Sequence, residues 1–279
     1  MSKGWATAGT ADRLSRCNEH KTGEWKMEEQ TQAPAAGGLR ILNRDVIKYV
    51  AMVTMLLNHI AHMFLTKGTP AYEVLEDIGF FTAPVMCFFL VEGYGYTRSK
   101  LQYGLRLVLF ALLSQIPFQL AFGYKSLNMF FTLLCCFLIL VMMERVSSPL
   151  LQTALCVLLT MATVVADWSL VAPILTVMLA NGMGNKKKLA LGFGAAYILF
   201  AILNTQNYMF GEQGDWTPYA MGHAALSGLG ILAAGAVVLF FYNGKRAQKG
   251  RNFAKWFFYI FYPVHLLVLY MIKTSLHNV

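Results

Sequence analysis

From residue 45 onward, apolar positions fall in long blocks, with charged residues gathered in the segments between them. Such blocks are too long for core strands. A helix that crosses a bilayer needs about 20 mostly apolar residues. Nine blocks approach that length: 45–66, 78–97, 104–123, 127–144, 149–166, 168–183, 187–205, 220–242 and 254–273. They predict an all-α, polytopic membrane bundle of about nine helices (roughly 8–10) with its N-terminus inside. The fifth and sixth blocks are divided only by Asp167 and Trp168, and read as two short helices or one broken one. No internal repeat is visible, which weakens an inverted-repeat transporter.

Residues 1–39 break the pattern. They carry five basic and five acidic residues and no apolar core of signal-peptide length. With Pro34-Ala35-Ala36-Gly37-Gly38 as a flexible join, they are expected to form a disordered cytoplasmic tail ahead of a membrane domain at 40–279. The whole net charge of +9 therefore belongs to 40–279. With the N-terminus inside, 15 basic residues fall in inner segments and only Lys67, Lys125 and Lys273 in outer ones. Glu73, Glu76, Asp77, Asp167, Glu212 and Asp215 fall outside. Cytoplasmic loops retain Lys and Arg, so the charge reports topology and no nucleic-acid partner is expected. Composition agrees: 57% of residues are hydrophobic and 13% charged, against about 25% charged in soluble domains. That excludes a soluble enzyme, a disordered chain and a nucleic-acid-binding domain. Five cysteines, four of them within apolar runs and none in CxxC spacing, read as packing residues, and no metal is expected.

Ionisable groups inside a span are costly and point to function. The first block is richest, with Arg44, Asp45 and Lys48, then Asn58-His59 and His62. Lys48 and His59 are eleven residues apart, about three turns, so they share a face about 16 Å apart along the axis. His62 continues that face one turn on. Lys48 reads either as a snorkelling anchor or as a site residue; His59 lies deep enough to point to function. Glu92 lies about two turns from the inner end of the second block, ahead of Arg98, Lys100 and Arg106. It reads as a partner of one of these bases, and a carboxylate so placed also holds an Arg in position for phosphate. His265 falls near the middle of the last block beside Pro263, which removes a backbone hydrogen bond. It reads as a site residue or as a His bonded to the freed carbonyl. Asn128, Asp167-Trp168 and His223 are weaker signals, and Lys186 to Lys188 and the cluster from Lys245 to Lys255 read as topology anchors.

Several stretches resemble the TraX family, named for the protein that acetylates the N-terminus of F-pilin. They are 47–60 with Asn58-His59; 91–107 with Glu92-Gly93-Tyr94, Thr97-Arg98 and Gly104-Leu105-Arg106; 114–118 with Gln115-Ile116-Pro117; Tyr242-Asn243-Gly244-Lys245; and 258–267 with Tyr262-Pro263-Val264-His265. No single motif is decisive, but their order and spacing together are specific and cover most of 40–279. That family is in turn similar to the membrane acyltransferase-three group, which carries an Arg or Lys, ten residues, then a His in its first helix. Lys48 and His59 match that spacing. The group usually has Asp before the His, where this chain has Asn58, which orients an imidazole but adds no charge.

The resemblance implies transfer of an acyl group, acetyl above all, from acetyl-CoA as co-substrate, at a bacterial cytoplasmic membrane. On this reading Lys48, Glu92, Arg98 and Arg106 gather the anionic donor, Arg suiting phosphate through its planar fork. His59 is the general base, and an imidazole titrates in the range that task needs. Asn58, Asn128 or His265 stabilises the developing oxyanion. The acceptor is left open among a pilin N-terminus, a small peptide and an envelope glycan. Two other classes stay in play. A multi-pass transporter or proton-coupled carrier would use the same His, Glu and Lys as a relay without CoA. A structural component of a conjugation or secretion machine would not need them.

Overall fold

In the computed structural model, residues 40–123, 125–210, 218–247 and 250–277 are described. The expected tail at 1–39 lies outside them. The described chain is a bundle of helices: α1 (Arg44–Phe64), α2 (Pro70–Gly79), α3 (Thr82–Tyr96), α4 (Lys100–Phe122), α5 (Met129–Arg145), α6 (Pro149–Ala162), α7 (Val171–Gly182), α8 (Lys186–Phe210), α9 (Pro218–Ser227), α10 (Leu229–Ala236) and α11 (Arg251–His277). Among the described residues, six segments are long and apolar enough to cross a bilayer: Arg44–Phe64, Pro70–Tyr96, Lys100–Phe122, Lys186–Gln206, Ala220–Phe241 and Phe253–Leu276. The chain is a multi-pass membrane protein. Each of the nine apolar blocks is helical, but the fourth to sixth give the shorter α5, α6 and α7. At 1.5 Å per residue, the 12 residues of α7 reach only about 18 Å.

Local chemistry sets the boundaries. Asn43 caps α1, its side chain accepting from the Asp45 and Val46 backbone N–H groups at 3.0 Å. Thr69 caps α2, with Pro70 at its first position. Ser99 and Asn128 cap α4 and α5 in the same way. Gly123 ends α4 at φ 71°, a conformation that favours glycine. The second crossing starts earlier than hydropathy predicts. Residues 70–77 carry Glu73, Glu76 and Asp77, which mask a helix that runs through a kink at Phe80 and Phe81 into α3. The fifth and sixth blocks are two short helices, parted by a helical turn at Thr163–Val165 and a sharp bend.

The central element is α3. It is apolar on all sides and eleven of its 15 residues are buried, as expected of a helix surrounded by others. No residue of α6 is buried, which puts that helix on the rim. Close packing is specific: a Cβ on Gly79 would lie 2.3 Å from Asn58 Cβ, so α1 and α2 meet only because residue 79 has no side chain. Two isolated bridges mark the ends of the bundle. Leu42 pairs with Tyr242 and Leu127 with Ala166. The first brings the basic segments before α1 and before α11 together, with the Arg44 N–H donating to the Lys245 carbonyl at 2.9 Å. At this basic end the Tyr94 hydroxyl and Lys100 Nζ both bond Glu144, which ties α3, α4 and α5.

Candidate functional site

One cavity of about 550 Å³ opens among α1, α3, α4, α5 and α11. Its walls change character along their length. At the basic end they carry Arg44, Lys48, Arg98, Arg106, Arg246 and Lys255. Arg44 is buried at the first turn of α1. Its Nη2 donates to the Phe89 carbonyl at 3.2 Å, and its Nε lies 3.6 Å from Glu92. Glu92 also accepts the Tyr242 hydroxyl at 2.6 Å. Tyr242 follows a π-helical turn at Val237–Phe241, a local widening often found beside functional groups. Lys48 Nζ sits over the Phe258 ring at 4.9 Å and the Phe89 ring at 5.6 Å, contacts that hold an ammonium without neutralising it. Arg106 lies over Tyr103 at 5.7 Å, and its buried Nε has no hydrogen-bond partner among the described residues.

Deeper in, His59 is buried on the cavity wall. Its Nδ1 is 2.7 Å from His265 Nε2, and His265 Nδ1 is 2.7 Å from the Phe261 carbonyl. A carbonyl only accepts, so with both rings neutral His265 carries its proton on Nδ1. His265 Nε2 is then an acceptor, and His59 donates to it from Nδ1. This assignment leaves the lone pair of His59 on Nε2, where no described residue hydrogen-bonds it. The carbonyl that Pro263 would free is four residues back, at Tyr259. His265 bonds Phe261 instead, so its place does not depend on that defect. His62, one turn on, is fully engaged: Nδ1 is 2.9 Å from the Tyr72 hydroxyl and Nε2 is 3.3 Å from Glu76, to which Tyr72 also donates at 3.0 Å.

The far end is aromatic, with Phe80, Phe130, Trp168 and Tyr262, and carries the carboxylate of Asp167. Trp168 and Leu170 have φ of 57° and 61°, rare and strained for side-chain-bearing residues. Trp168 stacks on Phe200 with ring centroids 5.5 Å apart. Burial pushes the Asp167 carboxyl from the usual 3.8 up to about 6, against the pull of the Trp168 N–H.

The cavity thus brings together Lys48, Asn58, His59, Arg98 and Arg106 of the residues expected from sequence. Two others stand behind its wall. His265 backs His59, and Glu92 pairs with Arg44 rather than with Arg98, Lys100 or Arg106. Asn58 is largely structural, donating to the Glu76 carbonyl at 3.1 Å beneath Gly79. Asn128 is wholly so. Its Nδ2 donates to Ala111 O and Gln115 Oε1 and its Oδ1 accepts from Phe130 N, which leaves nothing for an oxyanion. Sequence reading missed Arg44, Arg246, Lys255 and Tyr262 as lining groups. In the sequence Arg246 and Lys255 read as topology anchors, because charge bias alone does not say which cations face inward. Among the described residues, no group of three His, Cys, Asp or Glu is arranged to hold a metal.

The family model described as TraX protein matches residues 43–273, a range that holds the whole cavity lining. A curated relative, the probable fimbrial assembly protein FimC, serogroup H1, of Dichelobacter nodosus, is 33% identical over 247 residues. The alignment covers 82% of this chain and 95% of that protein. No solved structure matches.

Proposed function

The chain belongs to the TraX family, and from that premise and the cavity we propose that it is a membrane acyltransferase. It moves an acetyl group from acetyl-CoA to an amine, the N-terminus of a pilus subunit being the favoured acceptor, at a bacterial cytoplasmic membrane. One observation carries the reading: a single cavity joins a cluster of six cations to His59, whose Nε2 lone pair no described residue engages. The donor is polyanionic at one end and reactive at the other, and the cavity is polarised in the same sense. The orphaned Arg106 Nε suits a phosphate oxygen. Lys48 and His59, about 16 Å apart along α1, match an extended pantetheine arm.

On this reading the chain's own groups act in sequence. Arg98, Arg106, Arg246 and Lys255 hold the phosphates at the mouth, and Arg44, kept in place by Glu92 and Phe89, closes the base of that cluster. His59 Nε2 takes the proton of the attacking amine as the new C–N bond forms, then returns it to the sulfur as the C–S bond breaks. His265 fixes the tautomer that makes this possible and steadies the charge on His59 through the shared hydrogen bond. The printed name of the Dichelobacter relative, a fimbrial assembly protein, supports a pilus subunit as acceptor.

The test is acetyl-CoA binding and acceptor-dependent CoA release by the detergent-purified protein. Wild type should bind; Arg106→Ala should bind about 10- to 100-fold more weakly, the worth of one charge-assisted contact; His59→Ala should bind normally and release no CoA. Absence of any affinity for CoA species in wild type would overturn the reading and direct the same polar cavity to a flux assay.

A further inference from the structure

The far end of the cavity holds two polar groups that neither the fold nor the proposed chemistry uses so far. Tyr262 is 4% exposed and lines the cavity. The Met129 backbone N–H faces its oxygen, but no described residue accepts its hydroxyl proton. Its ring lies 6.2 Å from that of His59. Asp167 also lines the cavity, and its carboxylate meets no cation among the described residues. Tyr262 and Asp167 line the same cavity. A carboxylate without a counter-ion and a buried hydroxyl without an acceptor are both costly unless a ligand completes them.

The backbone presents Asp167 deliberately. Its N–H donates to the Leu127 carbonyl at 2.9 Å, and its own carbonyl accepts the Thr132 hydroxyl. Leu127 N in turn donates to Val165 O at 2.8 Å, and Leu170 N to Thr163 Oγ1 at 3.2 Å. Both main-chain groups of Asp167 are therefore committed to the start of α5, in a turn that tolerates two left-handed residues to keep this form. The side chain is left for the cavity.

We propose that Asp167 and Tyr262 form the acceptor side of the site, Asp167 pairing with the acceptor's ammonium and Tyr262 donating to the acyl oxygen. This rests on the acyltransferase reading above and assigns residues to its unassigned half. Asp167 takes one proton from the ammonium, which leaves a neutral carboxyl and a free amine. The amine lone pair forms the C–N bond, and the carbonyl π pair moves onto oxygen, where Tyr262 donates a hydrogen bond. When the carbonyl re-forms, the C–S pair leaves with sulfur. The second amine proton reaches that sulfur through His59, and Asp167 returns its proton to water. The products are the amide, the free thiol and one released proton.

The experiment uses the full-length protein in detergent, acetyl-CoA, and a short peptide with a free N-terminal alanine, its N-acetylated form serving as control. Peptide-dependent CoA release and acetyl-CoA affinity are measured separately for wild type, Asp167→Asn and Tyr262→Phe. Asp167→Asn should raise the peptide KM about 10-fold or more with donor affinity unchanged. Tyr262→Phe should lower kcat about 100-fold with peptide KM and donor affinity unchanged. Both substitutions leave the backbone bonds of the turn in place, and unchanged thermal midpoints confirm folding. If both variants bind donor and match wild type in KM and kcat, the assignment is wrong and the acyltransferase reading stands. If Asp167→Asn loses donor affinity and peptide response together, Asp167 is structural and the assignment is again wrong. If wild type binds donor but does not respond to the peptide, the ammonium subsite is overturned. If wild type binds no donor, both readings fall.

Discussion

The two ends of the cavity solve opposite problems. At the basic end, the deepest charge is closed within the protein: Arg44 meets Glu92 and the Phe89 carbonyl, and Glu92 accepts Tyr242. At the far end, the Asp167 carboxylate, carried by a strained turn, meets no cation, and the Tyr262 hydroxyl on α11 finds no acceptor among the described residues. The Arg44–Glu92 pair serves the fold, whereas Asp167, the Tyr262 hydroxyl and, at the mouth, the Arg106 Nε line the cavity open to something that arrives. Polarity alone does not separate them; satisfaction does.

Predictions sharpen this contrast. The largest effect belongs to the group between the two ends. His59→Ala should cost about 10²- to 10⁴-fold in transfer, measured as acceptor-dependent CoA release, with donor affinity kept within about 3-fold of wild type by titration. Glu92→Ala should cost stability above all, with some donor affinity lost through the loosened Arg44, because it strands that guanidinium in the interior. A loss of about 3–5 kcal/mol is expected, read from chemical unfolding in detergent, while Asp167→Asn should cost no stability. Equal destabilisation by the two would erase the distinction between the ends. His265→Ala should lower kcat about 10²-fold, and His265→Gln, whose amide oxygen can accept from His59 Nδ1, should recover much of it with little change in either KM. Lys187→Gln, outside the cavity, should leave donor affinity and kcat within about 2-fold. A large loss there would mean that the anchors also bind ligand.

The architecture was legible because lipid imposes length and continuous apolarity, and because Lys and Arg mark one face of the bundle. All nine blocks are helices for that reason. The helix at Pro70–Gly79 was not legible: its carboxylates read as a loop, yet Tyr72 and His62 give Glu76 an internal partner. Lys48 and His59 announced themselves by rarity and spacing. Arg246 and Lys255 did not, since a cation beside a span looks the same whether it faces headgroups or a cavity. Nor did sequence separate His265, behind the wall, from Tyr262, on it. They are three residues apart on one helix, and only the position of α11 against α1 decides which side chain meets the cavity.

The pairing of Leu42 with Tyr242 and of His59 with His265 has a consequence for biogenesis. The first helix enters the bilayer carrying Arg44, Lys48 and His59, while the groups that complete them lie 206 to 210 residues further along, or in α3. During synthesis α1 is therefore among the least comfortable segments in lipid, and gains its full set of contacts only when α11 arrives. A nascent chain released before its last helix would expose those charges, which gives membrane quality control a ready mark of incompleteness. The mature site is in that sense a signature that the chain has been finished.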